Sequence, residues 1–148
     1  MFRRHPFLSL ATFVYLGFVA WITLGPQPIG DHGDSIIFRF LHFFSHYDAT
    51  RWVSYDRLEF LANVGMFVPI GMFLLLLFGR RMWFVGILAG VALTCAIEYT
   101  QLFLPDRVSD VSDIVANSVG TVVGVVITLV LTWSKARSLR RERRELVG

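Results

Sequence analysis

The chain has 148 residues, 55% of them hydrophobic and 17% charged, with a mean hydropathy of +0.59. Soluble domains carry roughly 45–50% apolar and about 25% charged residues, so a soluble globule of this size has too little interior for so much Phe, Leu and Val. Low charge excludes disorder, missing heptads exclude a coiled coil, and a single cysteine, Cys95, excludes a disulfide scaffold. The chain reads as an integral membrane protein.

A helix needs about 20 consecutive apolar residues, with a range of roughly 17–25, to cross a hydrocarbon core. Phe7 to Leu24 is the first such stretch, preceded by Arg3 and Arg4 and closed by Gly25-Pro26. Its run is too long for a secretion signal and lacks a small-x-small cleavage site, so it reads as a retained anchor. A long connection follows, Gly25 to Glu59. Its aromatic run from Ser35 to Tyr47 is too short to span, and Asp34 or Ser35 can cap a short interfacial or re-entrant helix there. Trp52 and Tyr55 fit an interfacial aromatic belt. Phe60 to Phe78, Met82 to Leu104 and Ile114 to Trp133 are the other three spans, followed by a basic tail, 134–148. The expected fold is all-α: one transmembrane domain, 1–148, built as a four-helix bundle.

Basic residues fix the orientation. Four crossings put both termini and the Gly79-Arg80-Arg81 turn on one side, which then holds ten of the fourteen Lys and Arg; nine of the eleven acids fall on the other. Basic residues near helix ends stay cytoplasmic, so both termini are expected in the cytoplasm and the two longer connections outside. The tail from Lys135 to Arg144 and the pI of 9.5 then read as attraction to anionic lipid, worth about 1 kcal/mol per basic residue, rather than nucleic-acid binding.

Ionisable groups inside spanning helices are costly and mark polar interiors. On the third helix Gly86, Gly90, Thr94, Glu98 and Gln101 step by four, four, four and three, one continuous face. On the fourth, Asp113, Asn117, Gly120 and Gly124 step by four, three and four. Glu59 and Asn63 lie four apart on the second, with Pro69 and Gly71 deeper. With a rise of about 1.5 Å per residue, Glu98 falls about 9 Å below a helix end at Leu104. Glu59, Asn63, Glu98, Gln101, Arg107, Asp110, Asp113 and Asn117 are therefore expected in one outward-facing cluster. Plainer roles stand beside this reading. Gly86/Gly90 and Gly120/Gly124 are packing pairs, Asn and Gln can be interhelical glue, and Asp110, Ser112 and Asp113 can cap the fourth helix. Glu98 is the residue for which function outweighs packing, given how rare buried membrane acids are.

The order Asn63-Val-Gly-Met-Phe-Val-Pro-Ile-Gly71, Glu98-Tyr-Thr-Gln101, Arg107, Asp110-Val-Ser-Asp113-Ile-Val-Ala-Asn117, Gly120 and Gly124 resembles the VanZ-like family. The likeness covers about Asn63 to Gly124. It implies a membrane protein of the bacterial cell envelope, related to one that accompanies glycopeptide resistance and lowers susceptibility to teicoplanin. It brings no agreed biochemical activity.

No catalytic arrangement emerges from the residues themselves. Asp106, Asp110 and Asp113 lack the EF-hand spacing and glycine, and His42 and His46 supply too few ligands for a metal. Cys95 reads as a small core residue. No metal or cofactor is expected. The leading expectation is binding of a polar lipid headgroup, a lipid-linked envelope precursor or an amphipathic antibiotic. Arg107 would contact phosphate or carboxylate, Glu98 and Asp113 would accept donors, and Asn63, Gln101 and Asn117 would fix orientation, with Asp110 among them. The alternatives are a membrane enzyme acting on a lipid-linked substrate, with Glu98 or Asp113 as acid or base, and a pure assembly subunit.

Overall fold

The computed structural model describes residues 6–25, 55–105 and 109–145, with side chains described as far as residue 133 except for Tyr55. These residues form four helices and no strand: α1 (Pro6–Leu24), α2 (Tyr55–Phe78), α3 (Trp83–Gln101) and α4 (Val111–Glu145). Four segments are long and apolar enough to cross a membrane: Pro6–Leu24 (α1), Asp56–Phe78 (in α2), Arg80–Gln101 (α3 with the short 3₁₀ turn before it) and Val111–Trp133 (in α4). The protein is an all-helical membrane protein. The expected interfacial helix in Ser35 to Tyr47, with His42 and His46, lies outside the described residues.

Three of the helices end or begin several residues away from their apolar windows. α3 stops at Gln101 rather than Leu104. Pro105 disfavours helical backbone at the residue before it. The chain turns off through Leu102 N–H to Glu98 O (3.2 Å), Phe103 N–H to Thr100 O (3.1 Å) and Leu104 N–H to Gln101 O (3.0 Å). α2 starts at Tyr55, five residues before Phe60, because its opening residues, Asp56, Arg57 and Glu59 among them, are helical without being apolar. α4 starts at Val111 and runs past Trp133 to Glu145. The apolar window closes at the first charges, but Lys, Arg, Glu, Ala and Leu are good helix formers and continue the helix. Its 35 residues are about 52 Å long at the usual rise, against a hydrocarbon core of about 30 Å.

Between α2 and α3 the chain reverses at Gly79, whose φ of 83° and ψ of 161° fall where only glycine is comfortable. Its N–H caps Leu75 O at 2.7 Å, and the short 3₁₀ turn Arg80–Met82 leads into α3. The short connections put α2 beside α3 and α3 beside α4, and both pairs pack together. The largest interface, however, is between α2 and α4, which are not consecutive; α1 packs on α2 and α3.

Small residues explain that preference. A Cβ added at Gly120 would collide with Val64 O, one at Gly124 with Val68 O, and one at Gly71 with Thr121 O. The two backbones therefore approach more closely than any side chain would allow. Phe67, Ile70 and Leu75 of α2, with Ala116 and Val125 of α4, fill the buried interior. α1 adds Val19 and a tie from Tyr15 Oη to Met66 O (2.9 Å), one turn before Pro69. Buried Thr12, Thr23, Thr121 and Thr128 each donate to the carbonyl four residues back, so their hydroxyls cost nothing in an apolar setting. Cys95 differs from its expected core position. It is exposed on α3, off the buried Gly86–Gln101 row.

Candidate functional site

The polar row on α3 is one buried face. Gly86, Gly90, Thr94, Glu98 and Gln101 are all buried, together with Ile97. Each meets a different neighbour. A Cβ on Gly86 would lie 3.6 Å from Leu74 Cβ and Leu75 N of α2, whereas one on Gly90 would strike the Thr121 side chain of α4. Thr94 Oγ1 accepts from Asn117 Nδ2 at 2.9 Å. Glu98 meets the start of α4, and Gln101 Nε2 donates to Thr23 O at the end of α1 (3.0 Å).

Because α3 ends at Gln101, Glu98 sits about 4.5 Å from the helix end, half the depth expected from a helix reaching Leu104. It is nevertheless 4% exposed. Two donors converge on one of its oxygens: Ser109 Oγ at 2.8 Å and the Asp110 N–H at 3.0 Å. Asp110 is at the same time the N-cap of α4, its Oδ1 accepting from Ser112 N–H at 2.8 Å. The Glu98 carboxylate thus faces the positive end of the α4 backbone, a favourable place for an anion. It ties the end of α3 to the beginning of α4.

Asp113, in the first turn of α4, accepts from Asn63 Nδ2 at 2.7 Å, joining α4 to α2. Asp110 and Asp113 are close enough for their charges to bear on both Glu59 and Glu98. The structure therefore brings Glu59, Asn63, Glu98, Asp110 and Asp113 to one end of α2, α3 and α4, where the chain connects helices through 102–110. Asn117 lies one turn deeper and is 2% exposed, and Gln101 points to the α1 side. Arg107 lies outside the described residues. Among the described residues, no three His, Cys, Asp or Glu side chains converge as a metal site requires.

Two buried carbonyl oxygens, Gln101 Oε1 and Asn117 Oδ1, have no hydrogen-bond partner among the described residues. Such groups cost free energy when left alone. Sequence reasoning had named Gln101 and Asn117 but missed Ser109, whose hydroxyl is one of the two groups holding Glu98. Its position next to a helix-capping Asp was the available signal.

The VanZ/LLP1 family model matches residues 12–132, and so reaches back through the connection to α1, where the motifs from Asn63 to Gly124 gave no hold. No curated protein and no solved structure matches the chain.

Proposed function

The chain belongs to the VanZ/LLP1 family, and from that premise we propose that it binds a polar lipid headgroup, a lipid-linked envelope precursor or an amphipathic antibiotic at the polar end of α2, α3 and α4. It does so in the bacterial cytoplasmic membrane, with the termini in the cytoplasm and the site facing outward, and contributes to resistance of the glycopeptide (teicoplanin) type. The observation that supports this reading is the setting of Glu98. A carboxylate this buried, with Asp110 and Asp113 acting on it, is expensive to keep in a membrane bundle whose packing is already supplied by glycines. Glu98 and Asp113 accept donors from the ligand, Arg107 meets its phosphate or carboxylate, and Asn63 and Asn117 hold the walls.

One contact favours the catalytic alternative, in which Glu98 or Asp113 serves as acid or base: a hydroxyl, Ser109 Oγ, stands 2.8 Å from the Glu98 carboxylate. The Asp110 N–H bonds the same oxygen, however, and commits it to anchoring α4. Binding is the better-supported reading. The test is mass spectrometry of lipids that copurify with wild type and with Glu98→Gln in the same detergent, beside glycopeptide susceptibility of cells expressing each. A polar lipid or precursor enriched on the wild type and lost from the variant is expected. Identical lipid profiles and identical susceptibility would refute the proposal.

A further inference from the structure

The chemistry of the site narrows the ligand, and this inference rests on the binding function proposed above. Every charge that bears on Glu59, Glu98 and Asp113 among the described residues is another carboxylate. An acidic cluster alone identifies nothing, but a second feature accompanies it. Asn117 and Thr94, joined by their side chains, lie one helical turn beneath Asp113 and Glu98 respectively, so the carboxamide sits one turn below the acids of both helices. Its Oδ1 is buried and unpartnered, and so is Gln101 Oε1, three residues past Glu98 on the same buried face. Gln101 and Asn117 are 6% and 2% exposed. Both leftover groups are acceptors. Among the described residues, the groups that bear on the acids are carboxylates and the unpaired buried atoms are acceptors, so what they lack is N–H or O–H donors.

We propose that the polar end of α2, α3 and α4 takes a protonated primary amine, the ammonium of a phosphoethanolamine-type lipid headgroup, between Glu98 and Asp113 and over Asn117. A divalent cation would satisfy the charge but needs three converging ligands, which the described residues do not offer. A quaternary ammonium has no N–H to give to carbonyl oxygens and is recognised by aromatic cages, whereas the groups here are carboxylates and carboxamides. A sugar hydroxyl would pair with Asn117 and Gln101 but leave the carboxylates facing one another. A primary ammonium supplies three donors and one positive charge.

The test uses the full-length protein in neutral detergent and native mass spectrometry. The probes are phosphatidylethanolamine, its N-monomethyl and N,N-dimethyl forms, phosphatidylcholine and phosphatidylglycerol, all with the same chains, with free ethanolamine as soluble competitor. Affinity should fall stepwise as the three N–H groups are replaced by methyl, by at least about tenfold from phosphatidylethanolamine to phosphatidylcholine, the size of even one lost charge-assisted hydrogen bond. Asp113→Asn, which keeps a side chain of the same shape opposite Asn63, should erase most of that preference. Displacement by ethanolamine would add that the ammonium is recognised without the lipid. Equal binding of all the amine and methylated headgroups by the wild type would overturn the amine assignment while leaving headgroup binding intact. Binding of none of the five lipids would remove the ligand class as well, and the copurification experiment then decides the broader reading separately. The methylation series needs only the wild type, so it stands even if the variant fails to fold.

Discussion

The glycines of the bundle are not equivalent, and alanine at each separates them. At Gly124 an added Cβ would collide with Val68 O and lie 3.0 Å from Met72 N and Val68 C. At Gly120 it would collide with Val64 O and lie 2.9 Å from Phe67 Cβ. These obstacles are mostly backbone, which cannot rotate aside, so the α2 and α4 axes must separate along the largest interface in the molecule. At Gly86 the nearest atoms would be 3.6 Å away, ordinary van der Waals contact. Replacing glycine by alanine inside a helix also gains about 0.5–1 kcal/mol of backbone entropy, and this gain is common to all the sites. The contrast between Gly124→Ala and Gly86→Ala is then the clash itself, about 1–3 kcal/mol for forcing a methyl into a filled interface. Gly90→Leu belongs with the harmful changes. It strikes Thr121, a β-branched residue whose hydroxyl is engaged with Asn117 O at 3.0 Å. Unfolding in mixed micelles, followed by circular dichroism against sodium dodecyl sulfate, reads the order directly. Gly86→Ala should match or exceed the wild type, while Gly120→Ala, Gly124→Ala and Gly90→Leu fall below it. Equal stability of Gly86→Ala and Gly124→Ala would show that α2 and α4 do not pack through their glycines.

Two further outcomes are expected. Reporter fusions after Val147 should behave as cytoplasmic and fusions within Asp48 to Tyr55 as external, since ten basic residues oppose four; an external C-terminus would turn the polar end inward and refute the envelope-facing site. In a thermal-stability double-mutant cycle, Arg107→Ala and Glu98→Gln should be additive within about 0.5 kcal/mol, because Arg107 is assigned to the ligand rather than to Glu98. Arg107→Ala should lower function at nearly unchanged melting temperature, whereas strong coupling would make the pair an internal salt bridge, whose breakage costs roughly 3–5 kcal/mol.

The four spans and the buried face of α3 were legible because both rest on periodicity and apolar length, which any bilayer imposes on a helix. Helix ends were less so. Apolar windows measure where lipid contact stops, whereas the helix stops where the backbone loses partners. Pro105 therefore shortened α3 to Gln101, and the charged turns Asp56–Glu59 and the tail to Glu145 stayed helical despite their polarity. The pairing of α2 with α4 was hidden for another reason. Connection length indicates which consecutive helices touch, and says nothing of two helices separated by a third. Gly71 carried that information, since it lies on α2 against Thr121 just as Gly120 and Gly124 lie on α4 against Val64 and Val68. Glycines on both partners, in register, mark a contact that a glycine row on one helix cannot.

The site divides in the same way. Glu98 could be singled out because an acid in an apolar helix is conspicuous against any packing explanation. What holds it could not, because Ser109 and the Asp110 N–H come from the start of another helix and look like ordinary capping residues. They are that as well. Asp110 caps α4 with its side chain while its N–H binds Glu98, so one residue both starts the helix and holds the acid of the helix before it. Glu98 is thereby committed through one oxygen to the architecture. Asp113 is similarly committed through Asn63 to α2, and Asn117 through its nitrogen to Thr94. In each case the bond inside the protein fixes the orientation of a second polar atom of the same group. Cluster residues that look structural are therefore the ones best able to hold a ligand, because their position is already set before it arrives.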